Sequence, residues 1–170
     1  LPQIKIQDTD YVCSNLPNRY ITLDAGLLQG NPNDFTYEWS TTPVRTTSTI
    51  QVNETGTYTV KVTNAKGCSK TRTIEVELSN NATISDVVIV DLVQNNTVTV
   101  LLDPISIGSY QYSLDLPNGP FQDSNYFENV VPGVHMVYVY DTRGCGTVSK
   151  KISVLKIPAF FTPNADGTND

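Results

Sequence analysis

The chain has no uninterrupted run of about 18 apolar residues, so no segment of it is suited to cross a bilayer as a helix. Helix-forming residues are scarce as well, with 5 Ala and 5 Glu against 21 Thr and 19 Val. Because β-branched side chains favour strands over helices, this balance predicts an all-β protein. The length of 170 residues is enough for two small domains.

Basic residues are few and scattered. The chain has 11 Lys and Arg against 17 Asp and Glu, and its net charge of −6 divides as −1 over residues 1–79, −3 over 80–156 and −2 over 157–170. Binding to nucleic acid requires a cluster of cationic side chains that neutralises phosphates. We therefore expect no nucleic acid partner.

Residues that carry catalysis are also rare. His135 is the single histidine, and the carboxylates stand singly at strand ends and turns, so neither a nucleophile with its base nor an acid/base pair is indicated. His135 occupies a position expected to face the core, which favours a structural role. The sequence predicts a protein that is not an enzyme and that has no cofactor.

The main positive signal is an internal repeat. Residues 56–68 (GTYTVKVTNAKGC) align without gaps on residues 133–145 (GVHMVYVYDTRGC) at an offset of 77. The same offset aligns residues 21–23 with 98–100. Five positions of the longer segment are identical: Gly56/Gly133, Val60/Val137, Val62/Val139, Gly67/Gly144 and Cys68/Cys145.

Apolar residues alternate with polar ones in each repeat, which predicts strands with one buried face. Asn-Ala-Lys-Gly at 64–67 and Asp-Thr-Arg-Gly at 141–144 predict hairpin turns between the last two strands. We expect two tandem immunoglobulin-like β-sandwich domains, over 1–79 and 80–156. The predicted strands contain Phe35/Tyr37/Trp39, Tyr58/Val60/Val62, Ile74/Val76/Leu78, His135/Val137/Val139 and Ile152/Val154, with Trp39, Tyr58, Tyr112 and Val137 buried.

Residues 54–60 (ETGTYTV) resemble the sixth strand of immunoglobulin and PKD-type domains. In those domains a Tyr near the start of the strand ties a corner, a role that falls to Tyr58 here. Val60 then stands where antibody domains carry the cysteine of that strand, and Leu23 is the expected neighbour on the second strand. The resemblance implies an aliphatic core with Trp39 packed on it.

Residues 157–170 (IPAFFTPNADGTND) resemble the start of the gliding-motility-associated C-terminal domain of Bacteroidota, which reads roughly P-x-F-F-T-P-N-G-D-G-x-N-D, with Ala165 in place of a Gly. The family implies export by the type IX secretion system, with its outer-membrane machinery as a partner. It also implies a location outside the cell or on the outer membrane of a Gram-negative bacterium. Residues 157–170 are expected to be the truncated start of that sorting domain.

The extracellular context that this resemblance implies motivates a disulfide between Cys13 and Cys68. Cys145 would then remain a free, buried thiol, because Val90 stands at the position equivalent to Cys13 in the second repeat. The first and last turns of a simple sandwich lie at opposite ends. This pairing therefore requires Cys13 to lie partway along its strand or the topology to differ.

Two ligand sites are open at this stage. Asn164, Asp166, Asn169 and Asp170 have the oxygen-rich spacing of calcium loops, although Asn, Asp and Gly are also ordinary turn formers. Tyr126, Met136, Tyr138 and Tyr140 form an aromatic patch for a ligand if their face is exposed, and otherwise pack on a neighbouring element.

The repeats also resemble the immunoglobulin-like modules that precede this sorting domain in large surface adhesins. That resemblance favours a stalk or adhesion module, with surface glycans or other adhesin modules as further partners. The alternative is a carbohydrate-binding module of a secreted glycan-degrading enzyme.

Overall fold

The computed structural model describes residues 1–16 and 20–156. The first repeat forms strands β1 (Gln7–Cys13), β2 (Ile21–Asp24), β3 (Phe35–Trp39), β4 (Thr49–Val52), β5 (Gly56–Asn64) and β6 (Ser69–Ser79), with a short 3-10 helix (Pro32–Asp34) before β3. The second repeat forms β7 (Ile84–Val90), β8 (Thr97–Leu102), β9 (Tyr110–Leu114), β10 (Tyr126–Phe127), β11 (Gly133–Asp141) and β12 (Gly146–Val154).

The chain divides into two compact units. The first contains Leu1–Asn81, Ser106–Ser109 and Asp141–Gly146, and the second contains Ala82–Ile105, Tyr110–Tyr140 and the residues from Thr147 onwards. The turn between β11 and β12 therefore belongs to the first unit, although the two strands that it joins are in the second repeat. The sequence-based division at 79/80 gave no indication of this assignment.

In the first unit, one sheet has the order β1-β6-β5-β3 and the other pairs β2 with β4. In the second unit, the sheets have the orders β12-β11-β9 and β10-β8-β7. In both units the third, fifth and sixth strands share one sheet and the second and fourth strands share the other, which is the arrangement of immunoglobulin-like sandwiches. The protein is all-β, with two tandem immunoglobulin-like β-sandwich domains.

The first strand of each repeat joins a different sheet. β1 pairs in parallel with β6, from Gln7 opposite Thr73 to Cys13 opposite Ser79. β7 aligns with β1 in sequence but pairs antiparallel with β8, with an irregularity between Ile84 and Asp86. Just before β1, Ile4 forms a bridge with Leu27 near the end of β2, so the chain moves from one sheet to the other between Ile4 and Gln7.

The alternation that predicted the strands is confirmed in the core. Trp39 is 1% exposed and lies opposite Val60, and its indole N–H donates to the Thr47 carbonyl at 2.8 Å. Two expectations need correction: Leu78 is exposed, because the alternation on β6 breaks after Val76, and Tyr58 is half-buried. The remaining predicted core residues are buried: Tyr37, Val60, Val62, Ile74, Val76, Tyr112, His135, Val137, Val139, Ile152 and Val154.

We predict that Trp39→Ala lowers the free energy of unfolding of the first unit by about 3–5 kcal/mol, because it leaves a large cavity between the two sheets. Hydrogen exchange should accelerate in β5 and much less in β11. Glu38→Ala, at the exposed neighbouring position, is the matched control and should change stability by less than about 0.5 kcal/mol. Unchanged exchange in β5 would show that Trp39 does not hold this core together.

Candidate functional site

Tyr58 forms the corner that the sequence predicts. It lies near the start of β5, and its hydroxyl donates to the backbone carbonyl of Glu54 at 3.1 Å. Partial burial and the nearby Glu54 carboxylate raise the pKa of the phenol, so it remains a donor at neutral pH. This bond ties the start of β5 to the loop that follows β4.

His135 makes the corresponding bond in the second unit with different chemistry. Its Nε2 lies 2.7 Å from the Val131 carbonyl, which is four residues upstream, as Glu54 is from Tyr58. Its Nδ1 lies 2.6 Å from Oδ2 of Asp115. A backbone carbonyl and an ionised carboxylate are both acceptors, so each ring nitrogen must carry a proton. The geometry assigns His135 as an imidazolium.

Asp115 is held in place by backbone as well as by side-chain contacts. It directly follows β9 and has a φ of 62°, an uncommon value for a residue with a Cβ. Its Oδ1 accepts the Met136 N–H at 2.8 Å, and its own N–H donates to the Met136 carbonyl at 2.7 Å. The carboxylate therefore spans the backbone and the side chain of β11.

The two pKa values shift in the directions that an ion pair requires. Burial alone lowers the pKa of His135, but the hydrogen bonds to Asp115 and Val131 outweigh it, so the net pKa is raised. For Asp115, burial raises the pKa, while the hydrogen bonds from His135 and Met136 lower it further, so the net pKa is lowered. The sequence identified the buried position of His135 but gave no signal for Asp115, because the two are 20 residues apart.

An open groove of about 480 Å³ lies beside this ion pair in the second unit. Its rim carries the exposed ring of Tyr126, whose backbone carbonyl accepts a hydrogen bond from the Gln122 amide at 2.8 Å. Carboxylates, amides and one exposed aromatic ring therefore border a single depression. The lining residues include Leu114, Asp115, Gln122, Tyr126, Glu128 and His135.

The predicted patch of Tyr126, Met136, Tyr138 and Tyr140 is divided between two sheets. Tyr126 is on β10, whereas the other three are on β11, where they are half-buried and alternate with core residues. The Tyr140 ring lies against Phe121, with ring centroids 5.2 Å apart. Tyr126 alone contributes to the groove.

The predicted disulfide is wrong: Cys13 is bonded to Cys145, and Cys68 is free and exposed. The parallel pairing of β1 with β6 places Cys13 opposite Ser79, at the end of β6, whereas Cys68 directly precedes the start of that strand. The ten residue steps of β6 separate the two sites by roughly 33 Å along the strand. Cys145 is buried as expected, but it is not a free thiol, and its Cα lies 5.4 Å from that of Cys13.

A fully buried carboxylate organises the turn that carries Cys145. Asp141 accepts the N–H groups of Cys145 and Ser109 at 3.0 and 3.1 Å, and the Ser79 hydroxyl at 3.0 Å. All of these residues belong to the first unit. The alignment of Asp141 with Asn64 indicated a turn, but no signal in the sequence indicated the Ser79 contact.

The expected calcium ligands Asn164, Asp166, Asn169 and Asp170 lie outside the described residues, as does the rest of the 157–170 segment. Over 1–16 and 20–156, no three His, Cys, Asp or Glu side chains come together as a metal site. Over the same residues, no helix has the length and apolar character needed to cross a membrane.

Comparison with known proteins gives structural likenesses without a family. No family model and no curated protein matches the chain. It is similar to murine CEACAM1b, at 13% identity and a TM-score of 0.49, over 91% of this chain and 100% of that one. It is also similar to the two domains of DIP-gamma IG1+IG2, at 10% identity and a TM-score of 0.37, over 91% and 97% of the two chains. At such identities and scores these likenesses assign no function.

We predict that the second unit is most stable in mildly acidic solution. The raised pKa of His135 means that its contribution is complete below its ordinary value of 6.5 and is lost as pH rises through the folded-state value. The lowered pKa of Asp115 means that its contribution is complete above 3.8 and is lost as pH falls through the folded-state value. Stability should therefore be greatest between these two limits and should decline above pH 6.5.

His135→Tyr is the control, because it introduces the residue that the first unit uses at the same position and preserves a donor for the Val131 carbonyl. Hydrogen exchange of β11 as a function of pH, corrected for intrinsic rates, measures the effect. The wild type should lose protection above pH 6.5, whereas the variant should not. Equal pH profiles for the two proteins would contradict the assignment of a charged His135.

Proposed function

We propose that this chain is a non-catalytic stalk or adhesion module of a cell-surface protein exported by the type IX secretion system. In this proposal the two sandwiches stand outside the outer membrane, and the segment at 157–170 leads into the sorting signal. The partners are the outer-membrane secretion machinery during export and other adhesin modules or surface glycans afterwards.

The observation that carries the proposal is the buried disulfide between Cys13 and Cys145. Disulfides persist in oxidising surroundings such as the periplasm and the cell surface, and reducing pathways remove them in the cytosol. The bond closes a loop with a sequence separation of 132, which favours the folded state strongly because the unfolded chain loses much of its freedom. This bond supports a working location outside the cytoplasm.

The fold and the tail motif support the more specific part of the proposal. Two tandem sandwiches with short connecting turns suit a repeated spacer or adhesion module. The Phe160-Phe161-Thr162-Pro163-Asn164 run supplies the link to the type IX pathway through its resemblance to the gliding-motility-associated domain.

Surface labelling tests this proposal in the bacterium that makes the protein. An antibody raised against the 170-residue chain should label intact cells, and a mutant lacking the type IX outer-membrane channel should lose that label and accumulate the protein internally. Labelling only after permeabilisation of wild-type cells would refute a surface location. Labelling of intact mutant cells would refute the export route and leave the surface location standing.

The groove beside His135 favours carbohydrate binding as a second candidate function. Sugar rings stack on exposed aromatic faces, and Tyr126 presents such a face next to the carboxylates of Asp115 and Glu128, which can accept hydrogen bonds from hydroxyls. This site would serve an adhesin that grips a surface glycan or a module that holds a glycan-degrading enzyme on its substrate.

A glycan array followed by titration calorimetry tests this candidate. Tyr126→Ala should weaken any binding roughly tenfold, because one aromatic contact contributes about 0.5–1.5 kcal/mol. Tyr126→Phe keeps the ring and should bind nearly as well as the wild type. Binding that survives in Tyr126→Ala would place the glycan elsewhere, and an array without binding would remove this candidate.

A further inference from the structure

The turns that carry Cys68 and Cys145 have the same internal hydrogen bonds. In the first turn, Asn64 Oδ1 accepts the N–H groups of Lys66 and Cys68 at 3.1 and 3.0 Å. In the second turn, the Asp141 carboxylate accepts the N–H groups of Arg143 and Cys145 at 3.2 and 3.0 Å. The two turns therefore present their last three residues from equivalent backbones.

Only the second turn is engaged. Beyond the disulfide to Cys13, the Arg143 guanidinium lies 4.4 Å from the centre of the Tyr11 ring, and Asp141 accepts the Ser79 hydroxyl. Tyr11, Cys13 and Ser79 stand together at the paired ends of β1 and β6. We call these three residues the strand-end receptor.

The first turn has matching chemistry but no cysteine to bond. Lys66 is a cation at the position of Arg143, Asn64 offers an acceptor at the position of Asp141, and Cys68 is exposed. Cys13 is already used, and Val90 stands at the Cys13 position of the second repeat. No cysteine of this chain is therefore left to serve Cys68.

We propose that Cys68 is the attachment site for a disulfide to another immunoglobulin-like domain of this repeat type, one whose first strand ends in cysteine as β1 ends in Cys13. The second, independent observation behind this assignment is Cys145, the repeat equivalent of Cys68, which is bonded to such a strand-end cysteine. The inference rests on the repeat and the disulfide, and it goes beyond the proposed function without depending on the export route.

The bond forms by ordinary thiol–disulfide chemistry. Each thiol loses a proton, one sulfur–sulfur bond forms, and the two electrons pass to a disulfide oxidant, which is released as two thiols. In the test below the oxidant is oxidised glutathione. In the cell this role falls to a thiol oxidant of the oxidising compartment.

A three-repeat fusion reproduces the required neighbour. Residues 1–80 are joined to residue 4 and the remainder of the chain, since residue 81 aligns with Ile4 at the offset of 77. In the added copy, Cys68→Ser leaves one hairpin cysteine to follow, and Thr9→Ser, at an exposed position, marks the peptide containing Cys13 by mass. The fusion is refolded with oxidised glutathione, alkylated and mapped without reduction.

We expect Cys68 to be linked to the mass-marked Cys13 peptide, the original Cys13–Cys145 pair to persist, and no alkylated thiol to remain. The matched control adds Cys13→Ser to the extra copy and should show one alkylated cysteine, Cys68, as should the 170-residue chain itself.

Three results would overturn the proposal. The first is a fusion in which Cys68 is alkylated while the Cys13–Cys145 pair is intact. The second is a Cys68–Cys68 bond between two fusion chains, which would identify a second copy as the partner. The third is loss of the Cys13–Cys145 pair, which would show that a tandem copy does not reproduce the strand-end receptor.

Discussion

The parallel pairing of β1 with β6 is the constraint on which the first unit depends. It brings Cys13 beside Ser79, so that the disulfide cysteine and the hydroxyl that binds Asp141 stand at the same strand ends. Had β1 paired with β2, as β7 pairs with β8, Cys13 would have had a different neighbour. The choice of sheet for one strand therefore decides which cysteine is bonded and which is exposed.

The corner residues show how one structural task is performed by two chemistries. Tyr58 and His135 both donate to a carbonyl four residues upstream, which fixes the start of the fifth strand in each unit. The phenol remains neutral, whereas the imidazole carries a proton and requires Asp115 as its counterion. The histidine therefore couples the fold of the second unit to pH and places a charge beside the groove.

Much of the fold could be predicted from the sequence because alternation and turn residues are local signals. Trp39, Val60 and Val137 were located by the period of two, and the hairpin before Cys68 by its glycine. The disulfide was mispredicted because nothing local determines whether a first strand joins the second or the sixth. Asp115 escaped for a related reason, since its role depends on a contact with a distant strand.

The disulfide also determines how this chain responds to mechanical tension. When the ends of the polypeptide are pulled apart, force passes through the Cys13–Cys145 bond, and the stretch between those cysteines cannot lengthen. A separation of 132 residues at about 3.4 Å each corresponds to roughly 450 Å of contour length held in reserve. Reduction of a single covalent bond would turn a nearly inextensible tether into one that can yield and absorb work.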